Sequence, residues 1–432
     1  VSSDGTRLLP VWDENAYLKE QMPMDMRRGD FLKGMRVLDF SRYLPGPYAT
    51  MRLADMGADV IKVEDPHIGD PARHLPPLAE ETGRLFLLLN RNKRSLAIDV
   101  KTEVGREIIH RMIPKVDVVV ESYRPGVMAR FGLDAKTLRS IHPGLIYCSL
   151  TGYGQRGAMS GQAGHDINYT AVTGLLDGIG LPGGSPAVPT VQLADLAGGM
   201  AASEQILAAW IRRLRTGEGA VLDVSMVDVL YSWQAFPLAV EQSGQPVTRG
   251  SHVLCGTMVA YNVYETRDGR YVALGALEPK FWNRFCDAVE RPAWRDRGFT
   301  PPDDPSGLYR EVAKLFRSKT MEEWMRIGEA VDCCLTPVLT LSEAVDSPLA
   351  RERQSFFTLD HPGEGPQVLP NSGALLARGE RAGNPVTPAP RRGEHSAEIL
   401  LETGFGREEI GRWMEEGIVE GGNPLDFLSD DG

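Results

Sequence analysis

The sequence predicts an α/β protein in which a doubly wound large domain is joined to a smaller α+β domain. Three observations carry that expectation. The runs "MRVLDF", "DVIKVE", "SLAIDV", "DVVVES" and "LIYCSL" are short and continuously apolar, as strands buried on both faces are. Helical periodicity fills the stretches between them, which is the alternation of a parallel sheet. Beyond residue 225 the pattern changes to a hairpin and separate helices, and a chain of 432 residues is longer than one core usually serves.

Taken in order, residues 1–32 are polar and irregular and are expected to form an arm. The large domain, 33–225, opens with "MRVLDF" as a strand, "GPYATMRLADMGA" as a helix and "DVIKVE" as a second strand, a βαβ unit with parallel pairing. "SLAIDV", a helix through "GREIIHRMIPKV", then "DVVVES" and "LIYCSL" continue the alternation. Residues 153–195 are rich in Gly, Pro, Ser and Asp, with a short helical piece near "YTAVTGLLDGIG". "GGMAASEQILAAWIRRLRTG" reads as a long helix stopped by Gly217, and "AVLDVSMVDVLYSW" as a strand and a helix start. In the small domain, 226–340, "MVAYNVYETRDGRYVALGAL" reads as a hairpin turning at "RDG", followed by helices at "KFWNRFCDAV" and "TMEEWMRIGEAV". The segment 341–432 is expected to return to the large domain through the Pro/Gly-rich linkers "HPGEGPQVLPNSG" and "GNPVTPAPRRGEH" and a last helical pair, "SAEILLETGFGREEIGRWMEEG".

Composition excludes several classes. A formal net charge of −11 argues against a nucleic-acid partner or an anionic membrane surface. No apolar run reaches the roughly 18 residues of a membrane span, and "VSSDGTRLLPVWDENAYLKEQ" lacks the apolar stretch of a secretory signal. The five cysteines lack CxxC spacing, so no metal site and no disulfide framework is expected, and reduced thiols imply a cytoplasmic location.

The first βα turn, "DFSRYLPGPYAT", occupies the position of a phosphate loop but holds only Gly46, between Pro45 and Pro47. A dinucleotide site is therefore disfavoured. Two basic clusters lie near strand ends: Arg91, Lys93, Arg94 and Lys101, then Tyr123, Arg124 and Arg130. Such groups suit the oxygens of a phosphorylated ligand, and a solvated charged face is the alternative. Asp195 precedes the Gly-Gly pair of the long helix, either as an N-cap or as a carboxylate where a ligand approaches bare backbone. His165, in "AGHDINY", reads singly as a turn histidine, and Glu278, in "ALEPKFW", as a capping acid. Together the three form an inventory for proton transfer.

These motifs, in this order from about Leu32 to about Glu420, resemble the class III CoA-transferase (CaiB/BaiF) superfamily and, within it, the α-methylacyl-CoA racemases. "NRNKRSLAIDVK", "YRPGVMARFGL", "LIYCSLTGYGQRG", "AGHDINYTAVTG", "ADLAGG" and "DGRYVALGALEPKFW" carry the likeness, beside the first βαβ unit and the C-terminal helices. The resemblance implies a Rossmann-like large domain and an interlocked, ring-type homodimer. Its active site would lie between the large domain of one chain and the small domain of the other. It implies an acyl-CoA substrate, with coenzyme A as the carrier part and no permanently bound cofactor. Transferases of this class use the aspartate at Asp195 as a nucleophile, through acyl anhydride and enzyme–CoA thioester intermediates. Racemases pair it, as an acid/base, with the histidine at His165, which a glutamate at Glu278 supports across the dimer. By the same likeness Leu44, Pro45, Ile98, Lys101, Tyr123, Arg124 and Arg130 line the CoA groove.

With all three positions filled, the expected reaction is racemisation of a 2-methylacyl-CoA by 1,1-proton transfer through an enolate, whose oxygen amides near Asp195 would stabilise. The alternative is transfer of CoA between carboxylic acids through Asp195. Gln192, Cys255, Thr257 and Asp65 depart from residues these relatives carry, which leaves the acyl group open.

Overall fold

The computed structural model describes residues 31–250, 254–371 and 386–421, so the expected arm lies, but for its last two residues, outside them. The described parts of Val1–Leu150, Gly199–Asp223 and Gln354–Gly432 form one compact unit, and Thr151–Gly198 with Val224–Arg353 the other. The chain thus enters the second unit twice, at Thr151 and at Val224.

The strands of the large sheet are β1 (Arg36–Asp39), β2 (Asp59–Glu64), β3 (Lys93–Ile98), β4 (Val118–Glu121), β5 (Ile146–Thr151) and β6 (Ala220–Ser225). Elsewhere the chain forms β7 (Tyr261–Glu265), β8 (Tyr271–Gly275), β9 (Leu335–Pro337), β10 (Phe356–His361), β11 (Gly365–Pro370) and β12 (Val419–Glu420). The large sheet runs β12-β3-β2-β1-β4-β5-β6. Strands β1 to β5 pair in parallel, and β12 lies antiparallel to β3. Every residue of β4 and β5 is buried, so these strands read as unbroken apolar runs rather than as alternation. The strand order steps outward from β1 to β3 and resumes with β4 on the other side of β1. That reversal is the topological switch point of a doubly wound sheet, where ligands settle beyond the carboxyl ends of the strands.

The helix Pro45–Asp55 starts on a proline, which supplies helical φ and lacks only an N–H that would be unpaired there. The helix Glu103–Met112 is capped by Thr102, whose hydroxyl accepts the Gly105 N–H, and it buries Ile108, Ile109 and Met112. The helices Ser396–Thr403 and Arg407–Glu415 add Ile399, Leu400, Ile410 and Trp413 to the same core. The stretch "HPGEGPQVLPNSG", read above as linker, instead supplies β11 of an antiparallel ribbon. A two-stranded ribbon consists of edges only, so Pro366 and Pro370 can sit in it.

In the second unit β7, β8 and β9 form an antiparallel sheet, covered by the helices Pro279–Ala288, Leu308–Phe316 and Met321–Val331. Phe316 stacks on Phe285 at 5.5 Å and meets Trp324 at 4.6 Å between ring centres. The indole N–H groups of Trp282 and Trp324 donate to the carbonyls of Trp294 and Phe316, so the buried rings leave no polar atom unpaired. Strand β9 and the helix Leu308–Phe316 were not foreseen; the former is three residues long and too short to show a period. Among the described residues no helix is long and apolar enough to cross a membrane.

Candidate active site

His165 begins the helix Asp166–Val172, its backbone N–H donating to Asn168 Oδ1 at 3.0 Å, and its imidazole faces solvent. The turn is held from below, where Tyr169 donates its hydroxyl to the Gly164 carbonyl and meets the Tyr153 ring edge-on at 5.1 Å. The next residue, Asp166, reaches across the sequence. Its Oδ1 accepts the N–H of Ala194 at 2.6 Å and of Asp195 at 3.1 Å.

The long helix runs Leu193–Thr216, starting ahead of the glycine pair expected to open it. Asp195 is therefore not the N-cap but the third helical residue, and Asp166 satisfies two of the amides that a helix start leaves open. Those amides cannot also hold an enolate oxygen, which corrects the expectation placed on them. Gly199 has a packing reason: a Cβ there would lie 2.6 Å from the Pro45 carbonyl oxygen. The Asp195 carboxyl is half-buried. Burial, and then the neighbouring Asp166 carboxylate, push it up to about 7.

Glu278 stands at the N-cap of Pro279–Ala288, exposed, and its side chain makes no capping bond. Its charge adds to the burial that raises the Cys334 thiol. No hydrogen bond or ion pair joins it to His165 among the described residues.

At the switch point of the first unit, the loop after β1 ends at Leu44, before Pro45 opens its helix, and the loop after β4 carries Tyr123 and Arg124. The Arg42 N–H donates to Ser122 Oγ at 3.2 Å and its guanidinium lies 4.8 Å from the centre of the Tyr123 ring, which joins the two loops. Arg42 was not among the sequence candidates; its place just past a strand end was the available signal. Beneath Tyr123, the buried Glu121 carboxyl accepts the Tyr123 N–H at 2.8 Å, and burial pushes it up to about 7. Arg124 and Arg130 are exposed, without an ion-pair partner among the described residues.

The other basic cluster is largely structural. Arg91 pairs with Asp55 at 2.7 Å and Lys93 with Asp39 at 3.1 Å, all four side chains fully buried. Arg94 binds Asp59, Glu398 and Glu402 at 2.7, 2.9 and 3.0 Å. In a sheet covered on both faces these side chains point into the layers, so three of the four residues read as phosphate candidates tie layers together instead. Lys101 keeps an exposed ammonium beside Asp65 at 2.8 Å, and Ile98 is packed in the core.

The same buried charges hold the loop after β1. Lys62 donates to the Ser41 carbonyl at 2.9 Å and pairs with Asp70 at 2.8 Å, and Asp70 accepts the Tyr43 N–H at 3.2 Å. Asp39 accepts from Thr50 at 2.6 Å and from the Ser41 hydroxyl. Burial alone would raise Asp39, but Lys93 and Lys62 hold it down at about 2. Burial draws Lys93 down to about 8 despite Asp39. Gly46 is required because a Cβ there would collide with Ser41. A loop that lacks a glycine-rich phosphate motif is thus fixed by buried ion pairs.

The chain matches the model of CoA-transferase family III over residues 32–396. An alpha-methylacyl-CoA racemase of Mus musculus is 37% identical over 400 residues, spanning 90% of this chain and 97% of that protein. A succinyl-CoA:glutarate CoA-transferase of Homo sapiens is 30% identical over 403 residues, spanning 92% and 91%. The crystal structure of a CAIB/BAIF family protein from Brucella suis superposes with a TM-score of 0.73 at 26% identity, covering 86% of this chain and 99% of that one.

Proposed function

The chain belongs to CoA-transferase family III, and from that premise we propose that it is an acyl-CoA racemase or epimerase that exchanges the proton at C2 of a 2-methylacyl thioester. The observation that carries this reading is geometric: Asp166, next to His165, accepts the Ala194 and Asp195 amides, which ties the helix start of Asp195 to the turn of His165, and burial with the Asp166 charge raises the Asp195 carboxyl to about 7. A general acid or base works best with a pKa near the operating pH.

In this reading His165 removes the C2 proton from one face and the electron pair moves into the thioester, giving an enolate. Asp195, protonated, returns a proton to the opposite face. His165 is left as imidazolium and Asp195 as carboxylate, and exchange with solvent resets both. The opposite enantiomer reverses the roles. Each transfer is worth about 10²–10⁴-fold. The enolate oxygen requires N–H donors other than those of Ala194 and Asp195, which Asp166 holds.

Coenzyme A, the carrier part of the substrate, would lie against Leu44, Pro45, Lys101, Tyr123, Arg124 and Arg130, with Arg42 added. The unpaired guanidinium groups suit its phosphates.

The protein is proposed to act as a homodimer in which Glu278 of the partner subunit orients His165. Exposure of Glu278 and of Tyr231, Trp233, Phe236 and Leu238 on the second unit supports this reading. The second functional reading, CoA transfer with Asp195 as nucleophile, is favoured by the match to a CoA-transferase at 30% identity.

A 2-methylacyl-CoA incubated in D₂O without any acceptor acid separates the two. Deuterium at C2, found by mass spectrometry and abolished in His165→Ala, is the expected result. No deuterium, with CoA appearing on an added dicarboxylic acid in an Asp195-dependent way, would make the protein a transferase.

A further inference from the structure

We propose that Asp166 is a positioning residue: one side chain bolts the helix that carries Asp195 to the turn that carries His165, and sets a fixed negative charge beside the Asp195 carboxyl. The inference rests on His165 and Asp195 being the proton-transfer pair.

The geometry is specific. Both bonds converge on one oxygen, from amides 28 and 29 residues away in sequence. Asp166 is itself held, because its carbonyl accepts the Thr170 hydroxyl at 3.0 Å and it opens the helix that His165 caps. Its backbone is therefore fixed directly beside His165. A helix cap alone does not require this residue type, since asparagine or serine caps as well as aspartate. What aspartate adds is charge. Burial is the larger cause of the raised Asp195 carboxyl, and the Asp166 charge adds to it in the same direction. A cap selected for stability alone would avoid a like charge next to a half-buried acid.

Two variants of the full chain separate the bolt from the charge. Asp166→Asn retains an oxygen for both amides and removes the charge. Its pH limb belonging to Asp195 should move about one unit toward acid, the scale of one nearby charge, with a smaller loss of kcat than Asp166→Ala. Asp166→Ala removes the bolt, and kcat should fall by roughly tenfold or more at an unchanged KM, the sensitivity expected when catalytic groups lose their spacing. Recovery of kcat from Ala to Asn shows that the loss lies in placement rather than in folding.

A pH profile of Asp166→Asn that superimposes on the native one would reduce the residue to a helix cap, as would an Asp166→Ala protein with native kcat. Should Asp166→Ala fail to fold, the Asn profile alone decides. A ¹³C-carboxyl NMR titration of Asp195 in the native and Asn proteins reads the same shift without turnover. Absence of C2 exchange in the native protein would therefore defeat the proposed reaction and leave this inference to be judged by the titration.

Discussion

Asp195 works against the stability of its own fold. Its carboxyl is held up at about 7 in the folded chain, against about 3.9 in an unfolded one. A carboxyl whose pKa rises on folding binds its proton more tightly in the folded state. Its ionisation therefore opposes folding progressively from about pH 4 to pH 7, at about 1.4 kcal/mol per pKa unit. Asp195→Asn should raise the thermal midpoint clearly at pH 8 and little at pH 4, while abolishing exchange; equal shifts at both pH values would refute the assignment. Asp39 has the opposite sign. Held near 2 by Lys93 and Lys62, it contributes stability above about pH 4 and loses it as the pH falls toward 2. At this scale His165, Asp195 and Glu278 were legible as residue types in distinctive strings. The part played by Asp166 was not, because its two acceptor bonds close a gap of 28 and 29 residues that no local pattern encodes.

Among elements, the basic residues near the strand ends of the large sheet fall into two kinds that a sequence displays alike. Arg124 and Arg130 are exposed and unpaired among the described residues, whereas Arg94 is committed to Asp59, Glu398 and Glu402. Arg124→Ala and Arg130→Ala should each raise KM for the acyl-CoA about tenfold with kcat nearly unchanged, the mark of lost uniform binding. Arg94→Ala should instead lower the thermal midpoint and leave KM alone. Steady-state kinetics beside thermal melts distinguish the two patterns. The strand runs of the large sheet were readable because burial on both faces makes them continuous. The start of the helix Leu193–Thr216 was not, because Gly198 and Gly199 resemble a boundary while packing places them inside the helix. The proline-bearing strand β11 escaped for a related reason: its partner decides whether such a segment is linker or ribbon.

For the whole molecule, the unfilled surroundings of Glu278 lead to a test of assembly. If Glu278 of the partner subunit completes the site, the separately impaired His165→Ala and Glu278→Ala proteins should regain activity when mixed and allowed to exchange subunits. Roughly a quarter of the native rate is expected, since half the dimers are mixed and each keeps one intact site. Sedimentation of the native protein should give the mass of two chains. A monomer, or mixed subunits with no recovery, would place the support of His165 elsewhere.

What the sequence determined by itself was local or periodic: strand and helix alternation, the absence of a glycine-rich loop, and the strings that carry the family likeness. These follow from the burial pattern of neighbouring residues, and neighbours in sequence are visible. The tertiary structure decided which charges are paired, which amides are already held, and which carboxyl sits near neutrality. Those outcomes depend on atoms brought together across tens to hundreds of residues, as Arg94 with Glu402 and Asp166 with Asp195 show. Burial and charge act through distance in space, and only the fold sets that distance.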